Sequence, residues 1–152
     1  MKVFNKIIEL LDKNNIKYEI KGHKETYTSE QAAEYRGEDL KIGAKAMILK
    51  GDDFLMCVIS AARRINSKKV REIINCKKLR FATKEEVIEK TGCVPGSVPP
   101  FGNIFGLRLL VDESLLENEY IAFNAGMLTK SIKMKKDDYL KIVKAEICDF
   151  SE

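Results

Sequence analysis

Two apolar segments separated by a three-residue turn constrain the fold of this chain more than any other feature. They span residues 44–50 and 54–60, and the residues between them are Gly51-Asp52-Asp53. Apolar runs of this length on either side of a short turn that contains glycine are typical of a β-hairpin. The sequence therefore predicts two antiparallel strands here.

Helical and strand patterns are interspersed along the rest of the chain. Helices are predicted over residues 2–14 and 137–142, after Asn66 or Ser67, and after the capping boxes that begin at Thr28 and Thr83. Strands are predicted over residues 16–20, 79–82, 107–111, 120–124, 131–134 and 144–147. Because strict βαβ alternation is missing, we expect a single α+β domain over residues 1–152 with a mixed sheet.

Composition narrows the class of protein. No apolar stretch approaches the ~20 residues of a transmembrane helix, and the first five residues are followed by Lys and Glu rather than by an apolar signal core, so a soluble, cytoplasmic protein is expected. The four cysteines (Cys57, Cys76, Cys93 and Cys148) lack C-x-x-C spacing and His23 is the only histidine, which argues against a metal site. A catalytic pair between His23 and one cysteine stays open, although no local motif supports it.

Basic residues are concentrated between Arg63 and Arg80, a segment that we call the basic stripe. It holds eight basic residues and one acid, for a net charge of +7 in a chain whose total is +4. Such a stripe is either a polyanion-binding face or the solvated side of a helix. The residues expected to contact the polyanion are Arg63, Arg64, Lys68, Lys69 and Arg71.

Lys45 stands in the first strand of the predicted hairpin. Because side chains alternate between the faces of a strand, Lys45 shares a face with Met47 and Leu49. Burying an unpaired ammonium group is costly. Lys45 is therefore either a side chain whose amine reaches solvent from the strand end or a functional cation at the mouth of a pocket.

All three prolines and four of the nine glycines fall between Gly92 and Gly106. Glycine permits close approach of the backbone to a ligand and proline stiffens the chain, so residues 92–102, the proline loop, are candidates for binding through backbone groups. Asn124-Ala125-Gly126, at the end of a predicted strand, is a second such place. Each of them could also be only a structural corner.

Taken in order, these pieces resemble the YbaK-like family of prolyl-tRNA-synthetase-associated editing domains, from about Tyr27 to Tyr139. The matching segments are Thr28-Ser29-Glu30-Gln31-Ala32-Ala33, Gly43-Ala44-Lys45, the G-x-x-x-P element Gly96 to Pro100, Val111 to Leu116, and Phe123-Asn124-Ala125-Gly126. The resemblance implies a mixed, mostly antiparallel, partly barrel-like sheet flanked by helices. It also implies hydrolysis of the ester that joins a wrong amino acid to tRNA.

The resemblance further implies a substrate, partners and a site. The substrate would be mischarged tRNA, such as tRNA-Pro or a related tRNA carrying Ala or Cys, hydrolysed in trans because no synthetase domain is present; a synthetase would be a further partner. No cofactor, metal or membrane is implied. Lys45 maps onto the key lysine. The substrate-binding positions are Thr28, Met47, Gly96, Ser97, Val98, Pro99, Pro100, Phe101, Gly102, Asn124, Gly126 and Ser131.

The chain departs from the family pattern in two places. Ala46 follows the lysine where relatives often carry Thr, Ser or Asn, so the substrate preference does not carry over. Residues 127–130 lack a histidine that some relatives have nearby. Without a Ser-His-Asp arrangement, we expect attack by water positioned by the proline loop, with Lys45 stabilising negative charge. We expect a small pocket lined by Met47, Leu49 and the proline loop, which would admit small side chains. The alternatives are a non-catalytic tRNA- or synthetase-binding module of the same fold and a general RNA-binding protein, which would lack aromatic stacking platforms.

Overall fold

The computed structural model describes residues 2–25, 31, 33–34 and 39–152. Its helices are α1 (Lys2–Lys13), α2 (Ser67–Ile74), α3 (Lys84–Thr91) and α4 (Lys136–Ile142), with 3-10 segments at Leu40–Ile42, Gly102–Phe105 and Glu113–Glu117. Its strands are β1 (Tyr18–Gly22), β2 (Ala44–Lys50), β3 (Phe54–Ser60), β4 (Arg80–Phe81), β5 (Arg108–Asp112), β6 (Tyr120–Met127), β7 (Lys130–Lys135) and β8 (Ala145–Cys148). The predicted capping box at Thr28 lies outside the described residues. No helix in the described ranges is long and apolar enough to span a bilayer.

The predicted hairpin is confirmed and lies inside a five-stranded sheet of order β4-β2-β3-β5-β8. β2 and β3 pair antiparallel in unbroken register from Ala44 opposite Ser60 to Lys50 opposite Phe54. β3 pairs with β5, and β5 with β8, in parallel. A second, fully antiparallel sheet has the order β1-β7-β6. The α+β class and the mixed, mostly antiparallel pairing are thus confirmed.

The two sheets meet without closing into a barrel. Among the described residues, an isolated parallel bridge between Gly43 and Ala122 joins the start of β2 to β6. The carbonyl of Gly43 also accepts a hydrogen bond from the N–H of Ala61 (2.8 Å), which fixes this corner from the other side. The predicted partly barrel-like closure is not confirmed, because pairing between the sheets stops at that bridge.

Alternation along β2 divides the core in two. Ala44, Ala46 and Ile48 face a large cluster that includes residues of α1 and of the three-stranded sheet. Met47 and Leu49 face a smaller cluster with Val70 of α2 and the C-terminal Phe150. The strand thus presents Lys45 on the face of the smaller cluster, as its spacing predicted.

Asp112, at the end of β5, ties the C-terminal residues to the rest of the domain. Its carboxyl is fully buried and accepts hydrogen bonds from the N–H groups of Phe150 (2.7 Å) and Ser114 (3.1 Å). The carbonyl of Phe150 in turn accepts from the N–H of Asn66 (2.7 Å), the residue that caps α2. One buried carboxyl therefore helps to position the helix of the basic stripe.

Asp112→Ala leaves the N–H of Phe150 without its acceptor. We expect the free energy of unfolding to fall by about 1–3 kcal/mol, the cost of an unsatisfied buried donor, in urea denaturation followed by circular dichroism. Asp149→Ala is the matched control, because this carboxylate only forms a partly exposed ion pair with Lys69 at 3.4 Å. Its removal should cost less than about 1 kcal/mol. Equal losses in the two variants would contradict the anchoring role of Asp112.

Candidate active site

The proline loop follows α3, which ends at Gly92 in the left-handed conformation (φ +71°). Pro95 and Gly96 are the central residues of a turn that is closed by the N–H of Ser97 donating to the carbonyl of Val94 (3.0 Å). Gly96 has a φ of +90°. Proline followed by a residue with positive φ is the pattern of a type II turn, which requires glycine at the second position. The local sequence thus determines the shape of the loop tip.

Aromatic packing fixes the far end of the loop. Phe101 is fully buried, and its ring packs edge-on against Phe123 of β6 and Tyr139 of α4, with ring centroids 5.4 and 5.5 Å apart. The hydroxyl of Tyr139 donates a hydrogen bond to the carbonyl of Pro100. Burial raises the pKa of Tyr139, so this phenol stays a donor. The loop is therefore anchored in the larger core cluster.

Strand β6 holds the tip of the loop through two further carbonyls. The side-chain amide of Asn124 donates to the carbonyl of Gly96 (2.8 Å), and the N–H of Gly126 donates to the carbonyl of Ser97 (2.9 Å). Gly126 has a φ of +83° next to an irregularity in the β6–β7 pairing, and an added Cβ would lie 3.0 Å from Val3. The structure thus brings together the proline loop and the Asn124–Gly126 segment, two regions that sequence analysis found separately.

The hydrogen bonds that hold the proline loop use its carbonyl groups rather than its N–H groups. Within the described part of the chain, the N–H groups of Gly96 and Val98 have no hydrogen-bond acceptor. Gly96 is exposed, whereas Ser97, Val98, Pro99 and Pro100 are buried. The hydroxyl of Ser97 turns inward and donates to the carbonyl of Val94 (2.7 Å). The loop therefore offers a ligand its backbone at Gly96 rather than a serine nucleophile.

Ser131 and His23 extend the network behind Asn124. The hydroxyl of Ser131, a predicted pocket residue, is buried and donates to the side-chain oxygen of Asn124 (3.1 Å). Nε2 of His23 lies 2.7 Å from the same hydroxyl oxygen. Sequence analysis did not assign His23 to this site. His23 lies two residues beyond Lys21, which pairs with Ser131. Because side chains alternate along a strand, this spacing puts His23 on the same face of the sheet as Ser131, and it becomes a signal once the pairing of β1 with β7 is known.

Lys45 lies at the corner where the two sheets meet. It is half-buried, and its amine donates a hydrogen bond to the carbonyl of Arg63 (3.4 Å). Lys45 and Asn124 each lie two residues beyond the bridge that joins Gly43 to Ala122, on strands that contact each other. The side chain of Lys45 leaves β2 on the face of the smaller cluster, whereas the proline loop is anchored in the larger one.

Met47 and Leu49 are predicted to line a pocket together with the proline loop, and the structure places Leu49 elsewhere. Leu49 has no exposed surface and packs with Leu55 and Val70 in the smaller cluster, so the prediction that it lines a pocket with the proline loop is wrong. Met47 is half-buried against the same cluster. Its contact with a substrate stays a prediction, as do those of the loop residues. Thr28 lies outside the described residues.

A family model described as an aminoacyl-tRNA editing domain matches residues 23–142. The chain belongs to this family. The match spans every element of the site just described, from His23 to Tyr139. It confirms the family that the sequence motifs indicated and, with the relatives below, the prediction of an aminoacyl-tRNA deacylase.

Three similar proteins illustrate the relationship. The chain is 34% identical over 151 residues to the multifunctional Ser/Thr-tRNA deacylase ProXp-y of Escherichia coli strain K12, with 95% of this chain and 90% of that protein covered. It is 25% identical over 146 residues to the prolyl-tRNA editing protein ProX of Acetoanaerobium sticklandii, covering 91% and 89%. A solved structure described as a candidate trans-editing enzyme for prolyl-tRNA synthetase superposes with a TM-score of 0.86 at 24% identity, covering 100% and 98%, which supports the fold.

The cysteines of this editing domain are not poised for catalysis. Burial raises the pKa of Cys57 to about 12 and that of Cys148 to about 11, and it also raises the pKa of Cys93. Thiols with such pKa values do not form the thiolate that nucleophilic attack requires near neutral pH. Cys76 lines a pocket with Asp52 and Arg108 at the end of the hairpin away from Lys45. The structure therefore gives no support to a Cys–His pair.

Two members of the basic stripe have structural partners. The amine of Lys69 donates to the carbonyl of Ser151 (2.9 Å) and pairs with Asp149. Arg80 makes two hydrogen bonds to Glu86 (2.7 and 2.9 Å), and this guanidinium, together with the N–H of Thr83, lowers the pKa of Glu86 to about 2. The exposed cations next to Lys45 and on the outer side of α2 are Arg63, Arg64, Lys68 and Arg71.

A pair of glycine variants separates the backbone conformation of the loop from its chemistry. Gly96→Ala and Gly92→Ala both place a Cβ on a residue with positive φ (+90° and +71°). Each should lower stability by about 1–2 kcal/mol in thermal or urea unfolding. We expect only Gly96→Ala to slow deacylation of mischarged tRNA, because nothing lies within 4 Å of a Cβ at Gly92, outside the loop tip. Equal rates in the two variants would mean that the loop is a structural corner.

Proposed function

We propose that this chain acts in trans and hydrolyses the ester of tRNA mischarged with serine or threonine, at a site formed by Lys45 and the proline loop. Serine and threonine are proposed because the relative named a Ser/Thr-tRNA deacylase aligns with nearly the whole chain at 34% identity. The observation that carries the site is the tethering of the loop tip by Asn124 and Gly126, which leaves the N–H groups of Gly96 and Val98 available. A non-catalytic binding module of the same fold is not favoured.

The chemistry follows from what these groups can donate. The oxygen of a water molecule attacks the acyl carbon, and the bond between that carbon and the ribose oxygen breaks. The ribose oxygen takes up a proton that the attacking water gives up, which yields the free amino acid and the ribose hydroxyl. Negative charge builds on the carbonyl oxygen as the tetrahedral species forms, and preorganised N–H donors stabilise such charge. The N–H groups of Gly96 and Val98 are suited to that role because no acceptor in the described part of the chain occupies them.

Lys45 supplies the cation of the site. Its amine makes a long hydrogen bond of 3.4 Å to the carbonyl of Arg63. Arg63 is exposed and is the first residue of the basic stripe. An ammonium group at that place would bind an oxygen of the terminal nucleotide or stabilise developing negative charge. No acid–base role is assigned to Lys45, because water attack on an activated ester needs only modest assistance.

The exposed part of the basic stripe would hold the tRNA. Arg63, Arg64, Lys68 and Arg71 are exposed, while Lys69 and Arg80 are paired with protein groups. Cations that neutralise phosphates bind tRNA without base specificity and in a salt-dependent manner. A synthetase partner and a cytoplasmic location stay predictions.

A deacylation assay with Lys45 variants tests the catalytic proposal. The wild-type protein should hydrolyse Ser-tRNA and Thr-tRNA faster than Ala-tRNA or Cys-tRNA in a panel of mischarged tRNAs. Lys45→Ala should lower the rate by about 100- to 1,000-fold, the effect of losing one charge-stabilising donor. Lys45→Arg should restore little activity, because a planar guanidinium differs in shape from an ammonium group.

Lys50→Ala is the control for these variants. Lys50 lies at the other end of β2, where its amine stands 4.4 Å from the centre of the Phe54 ring. Its removal should leave the deacylation rate within about twofold and cost at most ~1 kcal/mol of stability. A wild-type rate in Lys45→Ala, or a loss that unfolding fully explains, would refute the role of Lys45. A preference for Ala-tRNA or Cys-tRNA would refute the proposed amino acids.

Charge reversal on α2 tests tRNA binding separately from chemistry. The double variant Lys68→Glu/Arg71→Glu should weaken tRNA binding and reduce the slope of log affinity against log salt by about one unit per lost phosphate contact. Hydrolysis of a minimal substrate, serine esterified to adenosine, should be unchanged. Lys144→Glu, an exposed residue outside the stripe, serves as the control. Unchanged tRNA affinity in the double variant would assign the stripe to an ordinary solvated helix face.

A further inference from the structure

A continuous path of side-chain hydrogen bonds crosses the three-stranded sheet and ends on the proline loop. It runs from the imidazole of His23 to the hydroxyl of Ser131 (2.7 Å), from that hydroxyl to the amide oxygen of Asn124 (3.1 Å), and from the amide nitrogen of Asn124 to the carbonyl of Gly96 (2.8 Å). We call these four residues the His23 relay. It joins the end of β1 to the tip of the loop.

The sheet itself brings these residues into line. Lys21 of β1 is opposite Ser131 of β7, and Ser131 is opposite Asn124 of β6. Residues opposite each other in neighbouring strands point to the same face, and His23 lies two residues beyond Lys21. The N–H of His23 also donates to the carbonyl of Thr129 (2.9 Å), which holds the backbone of His23 beside the β6–β7 turn.

The imidazole is fixed from two sides. Nδ1 lies 2.8 Å from the carbonyl of Lys24, an acceptor, so Nδ1 is the donor of that bond. Ser131 is 1% exposed, and its single hydroxyl proton goes to Asn124. Nε2 therefore also donates, to the oxygen of Ser131, so both ring nitrogens carry a hydrogen in this arrangement. A buried hydroxyl that loses a hydrogen-bond partner carries a desolvation cost. The ring of His23 therefore favours the orientation in which the Ser131 hydroxyl donates to Asn124.

Asn124 transmits that orientation to the loop. A side-chain amide can be turned either way round, and the two orientations exchange its donor and acceptor. The Ser131 hydroxyl, which donates to the oxygen of Asn124, selects the orientation in which the nitrogen meets the carbonyl of Gly96. In the opposite orientation two acceptor oxygens would face each other at Gly96.

We propose that His23 is a positioning residue for deacylation, acting through Ser131 and Asn124 to hold the Gly96 peptide in the conformation that presents its backbone to the ester. This inference rests on the proposed role of the proline loop. His23 touches no reacting atom in this arrangement, so its effect falls on the rate of the chemical step rather than on tRNA affinity.

Three variants at two neighbouring positions test the proposal. His23→Ala should lower kcat by about 10- to 100-fold with KM within about twofold, because a misplacement of about 1 Å at a reacting centre can cost 100-fold. His23→Gln should recover most of kcat, because its side-chain amide can reach Ser131 as Nε2 does. Lys24→Ala, which keeps the backbone carbonyl that His23 contacts and changes an exposed side chain, should behave as wild type.

A double variant tests whether the residues act in series. Ser131→Ala interrupts the relay one step later, so His23→Ala/Ser131→Ala should be no slower than the slower single variant. Independent contributions would instead multiply the two losses. Multiplying losses, or a His23→Gln variant as slow as His23→Ala, would overturn the relay.

Amide hydrogen exchange gives a readout that needs no activity. The N–H of Gly126 donates to the carbonyl of Ser97 in the loop, so loosening of the loop should speed its exchange by about tenfold in His23→Ala and leave Lys24→Ala unchanged. Unchanged exchange and unchanged kcat in His23→Ala would overturn the proposal. If the wild-type protein hydrolyses no mischarged tRNA, the proposed function fails, while the exchange rates still decide whether the relay holds the loop.

Discussion

The antiparallel pairing of β2 with β3 is the interaction on which the rest of this structure depends. Seven consecutive residue pairs align without a break, so every side chain of β2 has a fixed face. Ala44, Ala46 and Ile48 are thereby assigned to one core cluster and Met47 and Leu49 to the other. A shift of one residue would exchange the two sets and would move Lys45 into the larger cluster.

The proposed site draws on segments from both sheets, which are joined at the bridge between Gly43 and Ala122. Gly43 bridges to Ala122, and from this point β2 leads to Lys45 while β6 leads to Asn124 and Gly126. The proline loop is tied through its carbonyls to β6 and α4. Holding a loop by its carbonyls fixes the direction of its N–H groups, which is the preorganisation that our proposal requires of an irregular segment.

The basic stripe shows why charge in a sequence does not convert directly into a binding surface. Lys69 and Arg80 contribute to the same run of positive charge as Lys68 and Arg71. Yet Lys69 contacts the C-terminal residues, and Arg80 is paired with Glu86 beside the N-terminus of α3. Among the described residues, the other cations of the stripe form no ion pair, and the first of them, Arg63, bears the carbonyl that Lys45 contacts.

By itself the sequence determined the local elements of this protein. Periodicity predicted the hairpin to the residue, and capping residues predicted the ends of α3 at Thr83 and Gly92, because both signals depend only on neighbours along the chain. Motifs in order predicted the family and drew attention to Lys45 and the proline loop. The tertiary structure decided how these parts meet. It buried Leu49 in the smaller cluster, left the sheets unclosed, and brought His23 to within 2.7 Å of Ser131. Strand pairing between residues more than a hundred positions apart leaves no local pattern in a sequence.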